Sequence, residues 1–200
     1  MKKLIVSTVA SWLPLSAATV CIFGFMFYVM QQYIRLSANE IPAQYANDIV
    51  EKLKTGMSPT QTIGGIVPID MQKSLSPFVM ILDGNCKYLS GTAMLNGTYP
   101  APPLGALTFA KQQGENRITW QPERGVRTAT VIIPYNVAMP DRTIQEGYVV
   151  AGRLMRETEQ RERFLNMQIF AGIIITLIAT FITMFLVHYI KHRLRINSVQ

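Results

Sequence analysis

An α+β fold is predicted for this 200-residue chain: a five-stranded antiparallel sheet with a long leading helix, flanked by two transmembrane helices. Three observations point there. Two stretches, Leu4 to Met30 and Phe164 to Ile190, carry no formal charge, and each exceeds the roughly 20 apolar residues that cross a hydrocarbon core. Between them, short apolar or alternating segments are separated by turn residues, the pattern of strands. A helical period stands before those strands and a charged helical pattern after them.

The first stretch begins after Lys2 and Lys3, which also describes a secretory signal peptide. A signal's apolar region is short and ends at small residues. Here Ser16-Ala17-Ala18 is followed by "TVCIFGFMFYVM", which prolongs the run, so residues 1–33 are expected to form an uncleaved anchor. Val20 stands where a lipoprotein site at Cys21 needs a small residue. Pro14 is tolerable inside a span, where a modest kink is common.

Charge sets the orientation. All 12 acidic residues lie between the two stretches, with 14 of the 19 basic ones. The middle therefore carries +2, and the ends, with Lys2, Lys3, Lys191, Arg193 and Arg195, carry +5 of the net +7. Lysine and arginine beside span ends favour the cytoplasm. Both termini are expected inside the cell membrane, residues 34–163 outside it, 164–190 across it, and 191–200 as a short basic tail. The basic ends flank the lipid bilayer, so the positive charge is a topology signal and no nucleic-acid partner is expected. Cys21 and Cys86 fall in different segments and form no disulfide framework.

The outer segment opens with "QQYIRLSANEIPAQYANDIVEKLKTG". Ile41, Tyr45, Ile49 and Leu53 recur every four residues, with Ala38, Ala46 and Val50 beside them, and Gly56 suits the C-terminal stop. Pro42 is expected to kink this helix or to mark its restart after the first span. "SPFVMILDGNCKYLSGTAML" reads as strand, turn, strand, with "FVMIL" apolar on both faces and "DGN" tolerating positive φ in the hairpin. Asn96-Gly97-Thr98 is read as a turn. Leu104, Leu107 and Ala110 predict a short helix from Pro103 to Gly114. "NRITWQP" alternates Ile118 and Trp120 against Arg117, Thr119 and Gln121. "GVRTATVIIPY" sets Val126, Thr128, Thr130 and Ile132 against Arg127, Ala129, Val131 and Ile133, with "PERG" as the tight turn between these two strands. After a polar loop, "GYVVAGRL" is the fifth strand. "RLMRETEQRERF" pairs Glu157 with Arg161 and Glu159 with Arg163 at i,i+4, the acid first, which supports a helix.

In this order the segments resemble the extracytoplasmic single-Cache (PDC-type, PAS-like) sensor domain of bacterial two-span histidine kinases. "FVMILDGNCKYLSGTAMLNG" is similar to the first hairpin of such domains, "ITWQPERGVRTATVIIPY" to their central hairpin, and "GYVVAGRLMRETEQRE" to their last strand and exit helix. The resemblance spans about residues 33 to 165 and the flanking stretches. It implies a homodimer paired along the leading helices and a signal passed by helix displacement. Such receptors continue into a kinase or methyl-accepting module, whereas here about ten residues follow the second stretch. The expected output therefore lies in a separate membrane signalling partner.

Enzyme motifs are missing: no P-loop, G-x-G-x-x-G, G-x-S-x-G or H-E-x-x-H occurs, and residues 34–163 hold no histidine. No catalytic residue, metal or cofactor is expected. His188 and His192 have a metal-compatible spacing, but Lys191 and Arg193 beside them repel a cation. A ligand pocket needs aromatic walls and a few fixed polar groups. The candidates are Trp120, Arg127, Tyr135 and Tyr148, with the Arg127 guanidinium suited to a small carboxylate; an amine is the other ligand class expected. The function expected is a membrane-anchored sensory or binding module. The alternative is a structural envelope scaffold or assembly subunit without a small ligand.

Overall fold

The computed structural model describes residues 2–65, 67–138 and 144–197. These form two compact units, one of residues 34–159 and one of residues up to 33 and from 160 onward. The polar loop at 139–143 and the end of the basic tail at 198–200 lie outside the described residues.

The central unit is α+β. Its helices are α2 (Glu40–Lys54), α3 (Pro59–Ile63) and α4 (Leu104–Gln113). Its strands are β1 (Ile69–Asp70), β2 (Phe78–Asp83), β3 (Tyr88–Gly91), β4 (Ala93–Met94), β5 (Asn116–Glu123), β6 (Val126–Ala138) and β7 (Ile144–Leu154). Five of these make one antiparallel sheet in the order β3-β2-β7-β6-β5. All five are the strands that the sequence predicts. The sequence pattern misses α3 and the parallel pair β1-β4.

Strand alternation divides the core into two faces. Val79, Ile81, Val131, Tyr135, Val137, Val149 and Ala151 point to one, where α2 packs with Ala43, Ala46, Ile49, Val50 and Leu53. Phe78, Met80, Leu82, Trp120, Ile132, Tyr148 and Val150 point to the other, where α4 packs with Leu107 and Ala110. Burial of Ile49, Val50 and Leu53 stabilises the unit by about 1.5–3 kcal/mol each. The buried stripe of α2 differs from the expected one: Ile41 is exposed and Tyr45 only half-buried, while Pro42 and Ala43 are buried. Steps of four residues drift about 40° each around a helix, so a flat sheet selects alternating steps of three and four. Pro42 lies in the first turn of α2, where its missing N–H leaves no bond unmade.

The turns follow local chemistry. Gly114 closes α4 at φ 83°. In the β2–β3 hairpin the carboxylate of Asp83 accepts from the backbone N–H of Asn85 and Lys87 at 2.9 and 2.7 Å. The left-handed residue there is Cys86, at φ 64°, and not one of the "DGN" residues. Two aromatic rings stand over glycine. At Gly147 an added Cβ would strike the carbonyl oxygen of Leu82 and sit 2.8 Å from the Tyr135 hydroxyl, and at Gly152 it would strike the ring of Phe78.

The other unit is built from the apolar parts of α1 (Lys2–Ala38) and α5 (Arg156–Asn197), two helices long and apolar enough to cross a membrane. Trp12 donates its indole N–H to Thr180 Oγ1 at 3.1 Å and meets the Phe181 ring edge-on. Gln31 donates to Asn166 Oδ1 at 3.2 Å. The hydroxyls of Ser16, Thr19, Thr176 and Thr183 bond to carbonyls three or four residues earlier, which satisfies them without water.

Candidate functional site

The four residues singled out from sequence do not share one site. Arg127 lies on the α2 face of β6, where its Nη1 donates to Glu159 Oε1 at 2.6 Å. Tyr135 is buried on that same face, and its hydroxyl reaches Leu82 O only at 3.4 Å. Burial first, and then the Asp83 charge, push its pKa up to about 12. Trp120 and Tyr148 share the α4 face but not a neighbourhood. Trp120 is opposite Thr128 and Tyr148 opposite Pro134, six positions apart along β6, or about 20 Å at the rise of a strand.

Each end of the α4 face opens into a cleft. The first, about 240 Å³, is bordered by Gly84, Lys111, Pro134, Tyr135, Asn136, Glu146, Gly147 and Tyr148. Strand alternation turns Pro134, Asn136, Glu146 and Tyr148 toward it, while the Tyr135 ring faces α2. Lys111 Nζ stands 3.4 Å from Glu146 Oε2 across the opening, both side chains more than half exposed. Tyr148 is 5 % exposed, and its hydroxyl has no protein hydrogen bond among the described residues. A carboxylate could meet the Lys111 ammonium and this hydroxyl, and an amine the Glu146 carboxylate.

The second cleft, about 460 Å³, is bordered by Leu95, Asn96, Thr98, Pro100, Ala101, Trp120, Gln121, Pro122 and Glu123. Glu123 is its one charged lining residue among the described residues. Its Oε2 accepts from Asn96 Nδ2 at 2.7 Å and Gln72 Nε2 at 3.0 Å. Beside this cleft Tyr88 and Tyr99 stack at 3.8 Å; burial, with Tyr99 as the second cause, holds the Tyr88 hydroxyl well above the ordinary tyrosine range.

No protein-family model, no curated protein and no solved structure matches this chain. Among the described residues no group of three or more His, Cys, Asp and Glu side chains is placed to hold a metal.

The start of α5 differs from expectation. Neither Glu157–Arg161 nor Glu159–Arg163 forms an ion pair among the described residues. Glu157 instead meets Arg153 at 3.5 Å, and Glu159 meets Arg127. Arg153 Nε also donates to Leu75 O, and Arg156 Nη2 to Gln72 O, each at 2.8 Å. The first turn of this helix is thus pinned to the sheet and to the 72–75 loop. Sequence reading missed Lys111, Asn136 and Glu146 in one cleft and Gln72 and Asn96 by the other. The one usable signal was Lys111, the only charge on an otherwise uncharged α4.

Proposed function

We propose that the chain is a membrane-anchored, PAS/Cache-like extracytoplasmic sensory or ligand-binding module, without catalysis of its own, that passes its state to a separate membrane signalling partner. One observation carries this reading: helix α5 is separated from the last strand by Met155 alone, is pinned there by Arg127, Arg153 and Arg156, and continues unbroken as the second apolar stretch. A displacement of β7 or of the 72–75 loop has a short, stiff route into that helix. The sheet order and the leading helix on one face support the PAS-like part of the proposal. The clefts on the other face supply places for a small carboxylate or amine, the first of them with both Lys111 and Glu146. Both termini lie in the cytoplasm in this reading, and two copies pair along their leading helices.

A thermal-shift screen of small metabolites against the full chain in detergent tests it, since a ligand that binds only the folded state raises the melting temperature. Carboxylates or amines that raise it in the wild type, and fail to after Lys111→Ala or Glu146→Ala, support the first cleft. In a Cys21→Ser background, Cys86 should react with an impermeant maleimide from outside the cell; labelling only from the cytosol would overturn the topology.

A second reading has its own observation. Leu104 and Phe109 stand 68 % and 50 % exposed on the outer face of α4, an apolar surface that suits a protein neighbour. A flat screen together with a fixed partner in purified complexes would favour a scaffold or assembly subunit.

A further inference from the structure

The second cleft has a connection that the first lacks. Gln72 faces two ways: its side-chain amide donates to the Glu123 carboxylate in the cleft wall, while its backbone carbonyl accepts from Arg156 in the first turn of α5. Asn96 shares the same carboxylate oxygen and stands 3.5 Å from the Gln72 amide. Cleft, loop and helix are therefore joined by consecutive hydrogen bonds. The two amides fix Oε2 of Glu123, and Oε1 accepts no hydrogen bond among the described residues.

The charge around this cleft selects its occupant. Glu123, itself exposed, is the only charged residue lining it among the described residues, and Pro100, Pro122, Ala101 and the buried Trp120 and Leu95 supply the smaller, apolar part of the wall. An anion would meet an uncompensated carboxylate. A hard dication would find a single carboxylate where it needs about six or more oxygens. A small organic cation gains the carboxylate, and its carbon atoms meet the apolar part of the wall at Pro100, Ala101 and Pro122.

We infer that the Glu123 cleft is a binding site for a small organic ammonium ion, and that Gln72 reports its occupancy to the first turn of α5. This rests on the sensory reading above and names its ligand class and its route. A cation bound at Oε1 draws the carboxylate toward the cleft. The Gln72 amide follows or lets go, and its carbonyl shifts against Arg156.

The test uses the full chain in maltoside detergent with choline as the probe, read by calorimetry and by hydrogen–deuterium exchange at residues 155–160. Choline should bind saturably, and its neutral carbon isostere 3,3-dimethylbutanol and acetate should not. Glu123→Gln should weaken choline by about tenfold or more, the loss of one charge-assisted contact. Exchange at 155–160 should change with choline in the wild type. Gln72→Ala should still bind choline but show no such change. Equal affinity for the neutral isostere, or unchanged choline affinity in Glu123→Gln, would overturn the site. A 155–160 response that survives Gln72→Ala would overturn the route. Phosphatidylcholine nanodiscs that abolish the response to free choline would support the site and assign its occupant to a lipid headgroup. A different metabolite that stabilises wild type and Glu123→Gln equally would leave the sensory reading standing and sink this site. Choline binding on a chain whose Cys86 labels only from the cytosol would do the reverse.

Discussion

The two faces of the sheet are closed by helices of different length, and the clefts lie on the side of the shorter one. Helix α2 has 15 residues and α4 has 10, about 22 and 15 Å respectively at the rise of an α-helix. The longer helix lies along an almost wholly aliphatic surface, in which Tyr135 is buried and against which the partly buried Tyr45 packs. The shorter one covers the middle of its face, and Met71, Leu75, Ala93 and Leu95, from β4 and the segments beside it and β1, fill in around it. Both clefts open on the α4 face, one at each end. The longer helix, with Ile63 of α3 beside it, covers more of its face. A shorter one leaves the strand ends to loops, where polar side chains from distant segments can converge.

The largest expected effect would break that contrast if it failed. Gly147→Ala on the sealed face drives a methyl group into the backbone carbonyl of Leu82 and the ring of Tyr135. Backbone on one side and a buried tyrosine ring on the other leave little room to yield, so a loss of about 3 kcal/mol or more is expected in chemical denaturation of the full chain. A variant that unfolds like the wild type would mean that β2, β7 and Tyr135 are not packed as closely as their register implies.

A matched pair of truncations sharpens the same point. Ile49→Ala removes a side chain 1 % exposed beneath α2 and should cost about 2–5 kcal/mol. Phe109→Ala removes one that is half exposed on α4 and should fall within about 0.5 kcal/mol of neutral. A large loss for Phe109 would show that the open face is covered by a second copy or by another chain.

How much of this was legible beforehand depends on the range of the signal. The five strands, α4 and its stop at Gly114 each announce themselves within a dozen residues, through alternation, spacing or a left-handed glycine. Which face α2 closes was not legible, since "FVMIL" is apolar on both sides and "TATVII" offers two apolar sets. Helix α3 also had a local signal that was passed over: Ser58-Pro59-Thr60-Gln61 is a capping box with proline in its first turn. The β1–β4 pair had none, because two residues per strand carry no period. The clefts are a different matter. Gln72, Asn96 and Glu123 meet across separations of 27 and 51 positions, and Lys111 meets Glu146 across 35. No periodicity within one element reports such a meeting. The stripe of α2 was misjudged for a subtler reason: an exact four-residue repeat looks regular in sequence yet spirals off a flat surface.

Alkaline pH probes the most buried tyrosine on the α2 side. Tyr135 titrates near 12 in the fold and near 10 in an unfolded chain. Between about pH 10 and 12 the unfolded chain releases this proton while the folded one keeps it. Stability from this group is therefore complete below pH 10 and falls by up to about 1.4 kcal/mol per pH unit above it. Tyr88, shifted in the same direction, adds to the slope. Tyr135→Phe should flatten the denaturation midpoint between pH 10 and 12 and leave it nearly unchanged at pH 7. An unaltered slope would place the hydroxyl in contact with water.

The smallest effect belongs to the open side, at the hairpin that borders the first cleft. Cys86 holds φ at 64°, a left-handed conformation that costs a side-chain-bearing residue about 1–2 kcal/mol and glycine almost nothing. It follows Gly84-Asn85, with the Cys86 N–H bonded to Asp83 O at 3.0 Å and the Asp83 N–H to Lys87 O at 2.9 Å. That is a type I turn followed by a left-handed residue, a position that favours glycine. Cys86→Gly relieves the strain but gives back about 0.5–1 kcal/mol of chain entropy and the thiol's partial packing on the α4-face core. A net gain of about 0.5 kcal/mol is expected, near 2 °C in melting temperature. Cys86→Ala keeps the strained backbone and loses the sulfur, so it should lower the melting temperature slightly. If glycine and alanine instead shift it alike, the thiol's contacts outweigh the backbone, and the rim of this cleft is held by packing in the way the sealed face is.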